Sequence, residues 1–289
     1  MAMAPNLRTF SAPTGPAAGG NALAQLLAKA RPLVMGVVNI TPDSFSDGGR
    51  FLDFAAAIGQ ARRLIAEGAD ILDLGAESTR PYGGAVRVTL EDERARLAPV
   101  LAEVVALGVP VSIDTQKAPI AAWALMQGAA IVNDVWGLQG DPDMARIVAD
   151  HGAPVIVMHN REAADAAIDI VADVTAFFTR SLDIADRAGI ARDRIALDPG
   201  IGFGKTPEQS IICIARLDAW RGFGLPLLVG ASRKRFIHSV MPSEPTERLG
   251  GSIAAHLIAV ENGAVIVRVH DVAPTVQALA IAAAIRRSR

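Results

Sequence analysis

The stretch His151-Gly152-Ala153-Pro154-Val155-Ile156-Val157-Met158-His159 decides the reading of the whole chain. Val155 to Met158 is apolar at successive positions and does not alternate, the pattern of a strand buried on both faces of a parallel sheet. The Gly-Ala step before it is helix punctuation: glycine takes the left-handed conformation that ends a helix, and the small residue lets the chain turn into the sheet. A polar residue, His159, closes the run. The same punctuation recurs at Glu67-Gly68-Ala69, Gln127-Gly128-Ala129 and Asn262-Gly263-Ala264, each just before another apolar run.

Working outward, strands are expected at Leu33–Asn39, Asp70–Leu74, Val109–Asp114, Ile131–Asp134, Val155–His159, Ile195–Asp198, Leu227–Gly230 and Val265–Val269. Amphipathic helical segments such as Ala55–Glu67, Leu90–Leu107, Asp169–Ala188 and Thr246–Glu261 lie between them. Eight βα units with no linker predict an α/β fold, a single-domain (β/α)8 TIM barrel, with a doubly wound open sheet as the competing arrangement. Residues 1–20, rich in Ala, Pro and Gly, are expected to be a flexible N-terminal tail, and 21–289 the barrel domain.

Composition narrows the class. Hydrophobic residues make up 51% of the 289 and charged residues 20%, enough for a large core and too apolar for disorder. A net charge of −2 gives no reason to expect nucleic acid or an anionic membrane as partner. No signal peptide or membrane span is recognisable. The one cysteine, Cys213, lies in a periodic segment and reads as a small core residue, in keeping with a cytoplasmic location.

The chemistry is expected where the strands end, because in a barrel all the loops after the strands converge on one mouth. Those ends supply Asn39, Glu77-Ser78-Thr79-Arg80-Pro81, Asp114, Asn133, Met158, Asp198 followed by Pro199-Gly200-Ile201-Gly202-Phe203-Gly204-Lys205, Ser232-Arg233-Lys234 and Arg268-Val269-His270. Taken singly, an Asp after a strand is most simply a turn or cap residue, and Arg233 and Arg235 are most simply structural cations. His151, His238 and His256 are given no role. Together, Asp114, Asn133 and Asp198 suit a flat heterocycle with amide and amino edges. Arg80, Arg268, His270 and glycine-loop amides suit a phosphate or pyrophosphate. Phe45 and Phe203 stand ready either to pack on a second planar ligand or to plug the mouth. Gly204-Lys205-Thr206 lacks the spacing of a phosphate-binding Walker loop, and neither a zinc-spaced Cys/His cluster nor a G-x-S-x-G elbow is present.

In order, MGVVNITPDSFSDGGRF, GADILDLGAESTRP, VSIDT, VNDV, VMH, LDPGIGFGKT, LVGASRKRFI and RVHDV resemble the dihydropteroate synthase family of pterin-binding barrels. The resemblance runs from Pro32 to the C-terminus. It implies a transferase that joins 6-hydroxymethyl-7,8-dihydropterin pyrophosphate to p-aminobenzoate, releasing pyrophosphate, in folate synthesis. It also implies Mg²⁺, a homodimer and a sulfonamide target. By the same likeness Asp114, Asn133, Asp198 and Lys234 hold the pterin, with Met158 lining its pocket. Asn39 takes the metal, and Thr79, Arg80, Arg268 and His270 the pyrophosphate. Pro81, Phe203 and Ser232 border the aminobenzoate. Asp114, Lys234, Arg268 and His270 are the implied catalytic set.

Two other functions share some of these features. A methyltetrahydrofolate–corrinoid methyltransferase would share the pterin-holding acids but should lack the loops NITPDSFSDGG and SRK. An inactive pterin-binding paralogue would not need the retained Asn39, Arg80, Lys234, Arg268 and His270. The chain departs from the family pattern at Tyr82-Gly83-Gly84-Ala85, Gln116, Trp136-Gly137 and Asn160-Arg161-Glu162, all at or near the mouth.

Overall fold

The structure, a computed structural model, describes residues 20–40, 49–77 and 88–288. Its strands are β1 (Leu33–Asn39), β2 (Ile71–Gly75), β3 (Val111–Asp114), β4 (Ile131–Asp134), β5 (Val155–Met158), β6 (Ile195–Asp198), β7 (Leu227–Val229) and β8 (Ala264–Val269). Each pairs in parallel with the next, and β1 pairs with β8, so the sheet closes on itself in sequence order. Closure excludes the open sheet. The helices are α1 (Ala22–Leu27), α2 (Gly49–Ala66), α3 (Leu90–Val105), α4 (Ala118–Met126), α5 (Met144–Asp150), α6 (Ile170–Ala188), α7 (Pro207–Ala215), α8 (Arg235–Val240), α9 (Leu249–Glu261) and α10 (Val272–Arg287).

The expected punctuation is realised: φ is +100° at Gly68, +99° at Gly128, +57° at Gly152 and +115° at Gly263. Boundaries move slightly. The segment expected to be helical from Thr246 is α-helical only from Leu249, because Pro245–Glu247 forms a tighter 3-10 turn closed by a reciprocal Glu244–Glu247 capping box.

Two hydrophobic clusters divide the interior. The larger one lies between the strands and the surrounding helices, and Cys213 is fully buried in it as expected. The smaller comprises Leu33, Met35, Ile71, Ile131, Ile156, Ala196, Leu228 and Ile266, together with Leu23 and Leu26 of α1. These strand residues alternate with members of the outer cluster, so they point into the barrel, and α1 plugs its amino-terminal end. Asp70 clamps that plug, accepting from Lys29 Nζ at 2.6 Å and from Arg31 at 2.7 and 2.8 Å. No described helix is long and apolar enough to cross a membrane.

Candidate active site

The period of two along each strand builds the site. Two residues beyond the inward-facing Ile71, Ile131, Ile156, Ala196, Leu228 and Ile266 stand Asp73, Asn133, Met158, Asp198, Gly230 and Arg268. A narrow pocket at the carboxyl ends of the strands is lined by Asp114, Asn133, Val135, Met158, Asp198, Ile201, Phe203, Gly230, Lys234 and Arg268. Seven residues expected from the sequence thus share one wall: Asp114, Asn133, Met158, Asp198, Phe203, Lys234 and Arg268. Asn39, Ser232 and His270 do not line this pocket; each stands at or just beyond the carboxyl end of a strand, on β1, after β7 and after β8. Thr79, Arg80, Pro81 and Phe45 lie outside the described residues, as does the segment around Tyr82.

Asp73, which the sequence reading missed, organises the floor. Arg268 Nε donates to Asp73 Oδ2 at 2.6 Å, and a terminal nitrogen of the same guanidinium donates to Asp114 Oδ2 at 2.9 Å. Asn133 Nδ2 donates to Asp73 Oδ2 at 3.2 Å. Arg268 therefore bridges Asp73 and Asp114 across the pocket wall. The one sequence sign of Asp73 was a carboxylate in the middle of the apolar run Ile71–Gly75, and the structure buries it fully.

The acceptors above this floor are only half used. Asp114 Oδ1 and Asn133 Oδ1 are buried without a hydrogen-bond partner. Burial, with the neighbouring Asp73 charge, pushes the Asp114 carboxyl up to about 7 against the pull of Arg268. Burial also raises Asp198 to about 6, although the Gly200 N–H donates to its Oδ1 at 2.7 Å. Lys234 is lowered to about 7 by burial and by Arg268, and its Nζ sits 4.0 Å from the centroid of the Phe203 ring.

The loops after β7 and β8 are stitched together. The His270 N–H donates to Ser232 Oγ at 3.2 Å, and that oxygen lies 3.0 Å from His270 Nδ1. If the Ser232 hydroxyl donates to Nδ1, the imidazole carries its proton on Nε2. Burial and nearby Arg268, Arg233 and Lys234 hold His270 down at about 3, so it is neutral. Arg233 adopts φ +58°, a left-handed backbone unusual for a non-glycine residue. Its side chain pairs with Asp271 at 2.6 and 3.0 Å, its N–H donates to Ser252 Oγ, and its carbonyl accepts from Arg248. Arg233 is thus a structural cation, as expected. His256, given no role from sequence, accepts the Ala231 N–H through Nε2 at 3.1 Å and so supports the same loop from α9.

The departures from the family pattern have partners too. Gln116 and Lys117 both reach Glu77 Oε2, at 3.3 and 2.6 Å, while Glu77 Oε1 accepts the Val88 N–H. Arg161 pairs with Asp173 at 2.9 Å.

Comparison with known proteins agrees with this geometry. The family described as pterin binding enzyme matches residues 35–270. The dihydropteroate synthase of Bacillus subtilis (strain 168) is 43% identical over 245 residues, covering 84% of this chain and 85% of the relative. The structure of Xanthomonas albilineans dihydropteroate synthase with 4-aminobenzoic acid is similar with a TM-score of 0.85 at 44% identity, covering 89% of this chain and 93% of that one. The same organism's enzyme in complex with 7,8-dihydropteroate gives 0.82 at 42% identity, over 89% and 94%.

Proposed function

Because the chain belongs to the pterin-binding enzymes, within the dihydropteroate synthases, we propose that this pocket joins 6-hydroxymethyl-7,8-dihydropterin pyrophosphate to p-aminobenzoate. The chain is a transferase that forms the carbon–nitrogen bond of dihydropteroate. The observation that carries the site assignment is the pair of buried, unpartnered acceptors, Asp114 Oδ1 and Asn133 Oδ1, on two residues lining the same pocket as Lys234 and Arg268. A buried acceptor without a partner costs free energy, and the amino and ring N–H groups of a pterin relieve that cost.

Asp114, Asn133 and Asp198 accept from the pterin edge, with Met158 against its face. The aminobenzoate nitrogen then bonds to the pterin methylene carbon while the carbon–oxygen bond to pyrophosphate breaks and its electron pair leaves with the phosphate. The amine loses a proton to water. Positive charge developing on the pterin faces the Asp114 carboxylate. Arg268 presents positive charge to the departing pyrophosphate, neutral His270 presents its Nε2–H, and Lys234 holds the pterin. Thr79 and Arg80 join the pyrophosphate side in this reading, and Pro81, Phe203 and Ser232 border the aminobenzoate, the place a sulfonamide would compete for.

Magnesium belongs to the same reading. Among the described residues no group of three or more His, Cys, Asp or Glu is placed to hold a metal. Asn39, inward at the end of β1, offers one amide oxygen. That donor set fits an ion that keeps its waters and arrives with pyrophosphate oxygens, and when bound it would neutralise leaving-group charge. The reading extends to a cytoplasmic homodimer, supported by the buried lone cysteine and by an apolar groove on α7, α8 and α9.

The test is product formation. Protein supplied with the pterin pyrophosphate, p-aminobenzoate and Mg²⁺ should release dihydropteroate and pyrophosphate. Lys234→Ala and Arg268→Ala should each cut turnover by at least about a hundredfold, on the scale of losing one electrostatic contact to the transition state, while the circular dichroism spectrum is kept. Pterin binding without product from the unaltered chain would leave an inactive pterin-binding protein, and full activity in either variant would break the role assignment.

A further inference from the structure

Next to the pocket runs a line of ionisable side chains, none of which lines it. Lys205 is 1% exposed and His159 is fully buried. Lys205 Nζ lies 2.6 Å from His159 Nδ1, 3.0 Å from the Gly200 carbonyl oxygen and 3.1 Å from the Phe203 carbonyl oxygen. His159 Nε2 lies 3.0 Å from Asp173 Oδ2, and Asp173 Oδ1 takes Arg161 at 2.9 Å. The two carbonyl oxygens can only accept, so Nζ donates to both, and an ammonium keeps a further proton for Nδ1. Burial lowers Lys205 only to about 8, so it is an ammonium at neutral pH. With Nδ1 accepting, the imidazole proton must be on Nε2, where Asp173 accepts it. The line therefore runs cation, neutral ring, carboxylate, cation. Burial and the Lys205 charge hold His159 down at about 3, in keeping with a neutral ring.

We propose that Lys205, His159, Asp173 and Arg161 form a positioning chain that fixes the Phe203 turn and so sets the fit of p-aminobenzoate, with little influence on the pterin. The turn has no slack. Gly200 and Gly204 have φ of +66° and +54°, and a Cβ at either would collide with His159 or Arg161 backbone. The Phe203 N–H donates to the Gly200 carbonyl at 3.0 Å. The Phe203 ring in turn supports Lys234. Asp114 and Asn133 are set by β3 and β4, and Asp198, which takes the Gly200 N–H, is itself the last residue of β6, so loosening the turn moves the Phe203 wall more than the pterin edge.

The chain rests on the reading of the pocket given above, and its test separates the two. Lys205→Met should raise the KM for p-aminobenzoate about tenfold or more while the pterin Kd stays within about twofold. Arg161→Ala, at the outer end, should move the same KM in the same direction by less, and Arg161→Lys should restore it. Without any substrate, the imidazole ¹⁵N spectrum should show His159 protonated on Nε2, and Lys205→Met should disturb that signature. A proton on Nδ1 overturns the proposal. So does an unchanged aminobenzoate KM in Arg161→Ala, or an equal loss of both substrates in folded Lys205→Met. If Lys205→Met does not fold, Arg161→Ala and the imidazole signature decide. Failure of the unaltered chain to make product strikes the functional reading and leaves the imidazole prediction standing.

Discussion

Asp198 holds a charge where burial opposes it, and that conflict can be measured. Its carboxyl titrates at about 6, above the ordinary 3.8, because it is almost fully removed from water. A carboxyl whose folded-state pKa is raised binds its proton more tightly folded than unfolded. The charged form therefore weakens the fold increasingly from pH about 4 to 6 and by a constant amount above that. Asn keeps an oxygen for the Gly200 N–H and removes the charge. Asp198→Asn should accordingly raise the melting temperature of the ligand-free protein at pH 8, with the gain fading towards pH 4, and should weaken pterin binding at both pH values. Thermal unfolding across pH and pterin titration check the two halves. Unchanged stability at pH 8 would mean that Asp198 is better solvated than the structure places it.

At the scale of the element, strands and mouth were legible because the βα units repeat a few marks: a Gly-Ala stop before four of the strands, an apolar run, and at most strand ends a polar residue. Asp73 escaped because a polar residue inside a strand carries no turn or cap signal, and its meaning appears only when Arg268 arrives from the far side of the barrel. His256 escaped for a similar reason, since its partner Ala231 is 25 residues away and bonds through its backbone. The plug α1 was illegible for want of length. Six residues carry a single turn of helical spacing, Leu23, Leu26 and Leu27, too short a run to stand out, and only the Asn21 cap, accepting the Ala24 N–H at 3.0 Å, marks the start. Yet Leu23 is buried against the apolar floor of the barrel. Leu23→Ala should cost roughly 2–5 kcal/mol in urea unfolding, the range for emptying a leucine site in a tight core. Pterin affinity should hold, because the plug and the mouth are at opposite ends. A cost below about 1 kcal/mol would show that the floor closes without α1.

The whole molecule carries a second concavity away from the polar strand ends. A groove of about 660 Å³ runs between α7, α8 and α9, lined mainly by apolar side chains including Ile214, Phe236, Ile237 and Ile258. Beside it Val240 and Met241 are 73% and 72% exposed. A contiguous apolar surface of this kind is the ordinary mark of a protein interface. A second copy of the chain would fit it through an isologous contact, in which α7, α8 and α9 of each copy cover those of the other. Ser252 and His256 of α9, with Arg248 just before it, hold the loop before Lys234, so the helix that lines the groove also braces the site. Light scattering after gel filtration should give about twice the chain mass of 30.2 kDa for the unaltered protein. Paired Val240→Asp and Ile258→Asp changes should give a single chain mass, because each would bury carboxylates against the partner's apolar groove. Such a monomer should still bind pterin, whose ligands all come from one barrel, and should lose turnover to the extent that α9 loosens its grip on the Lys234 loop. A single-chain mass for the unaltered protein at micromolar concentration would remove the homodimer from the reading and leave the groove to another partner.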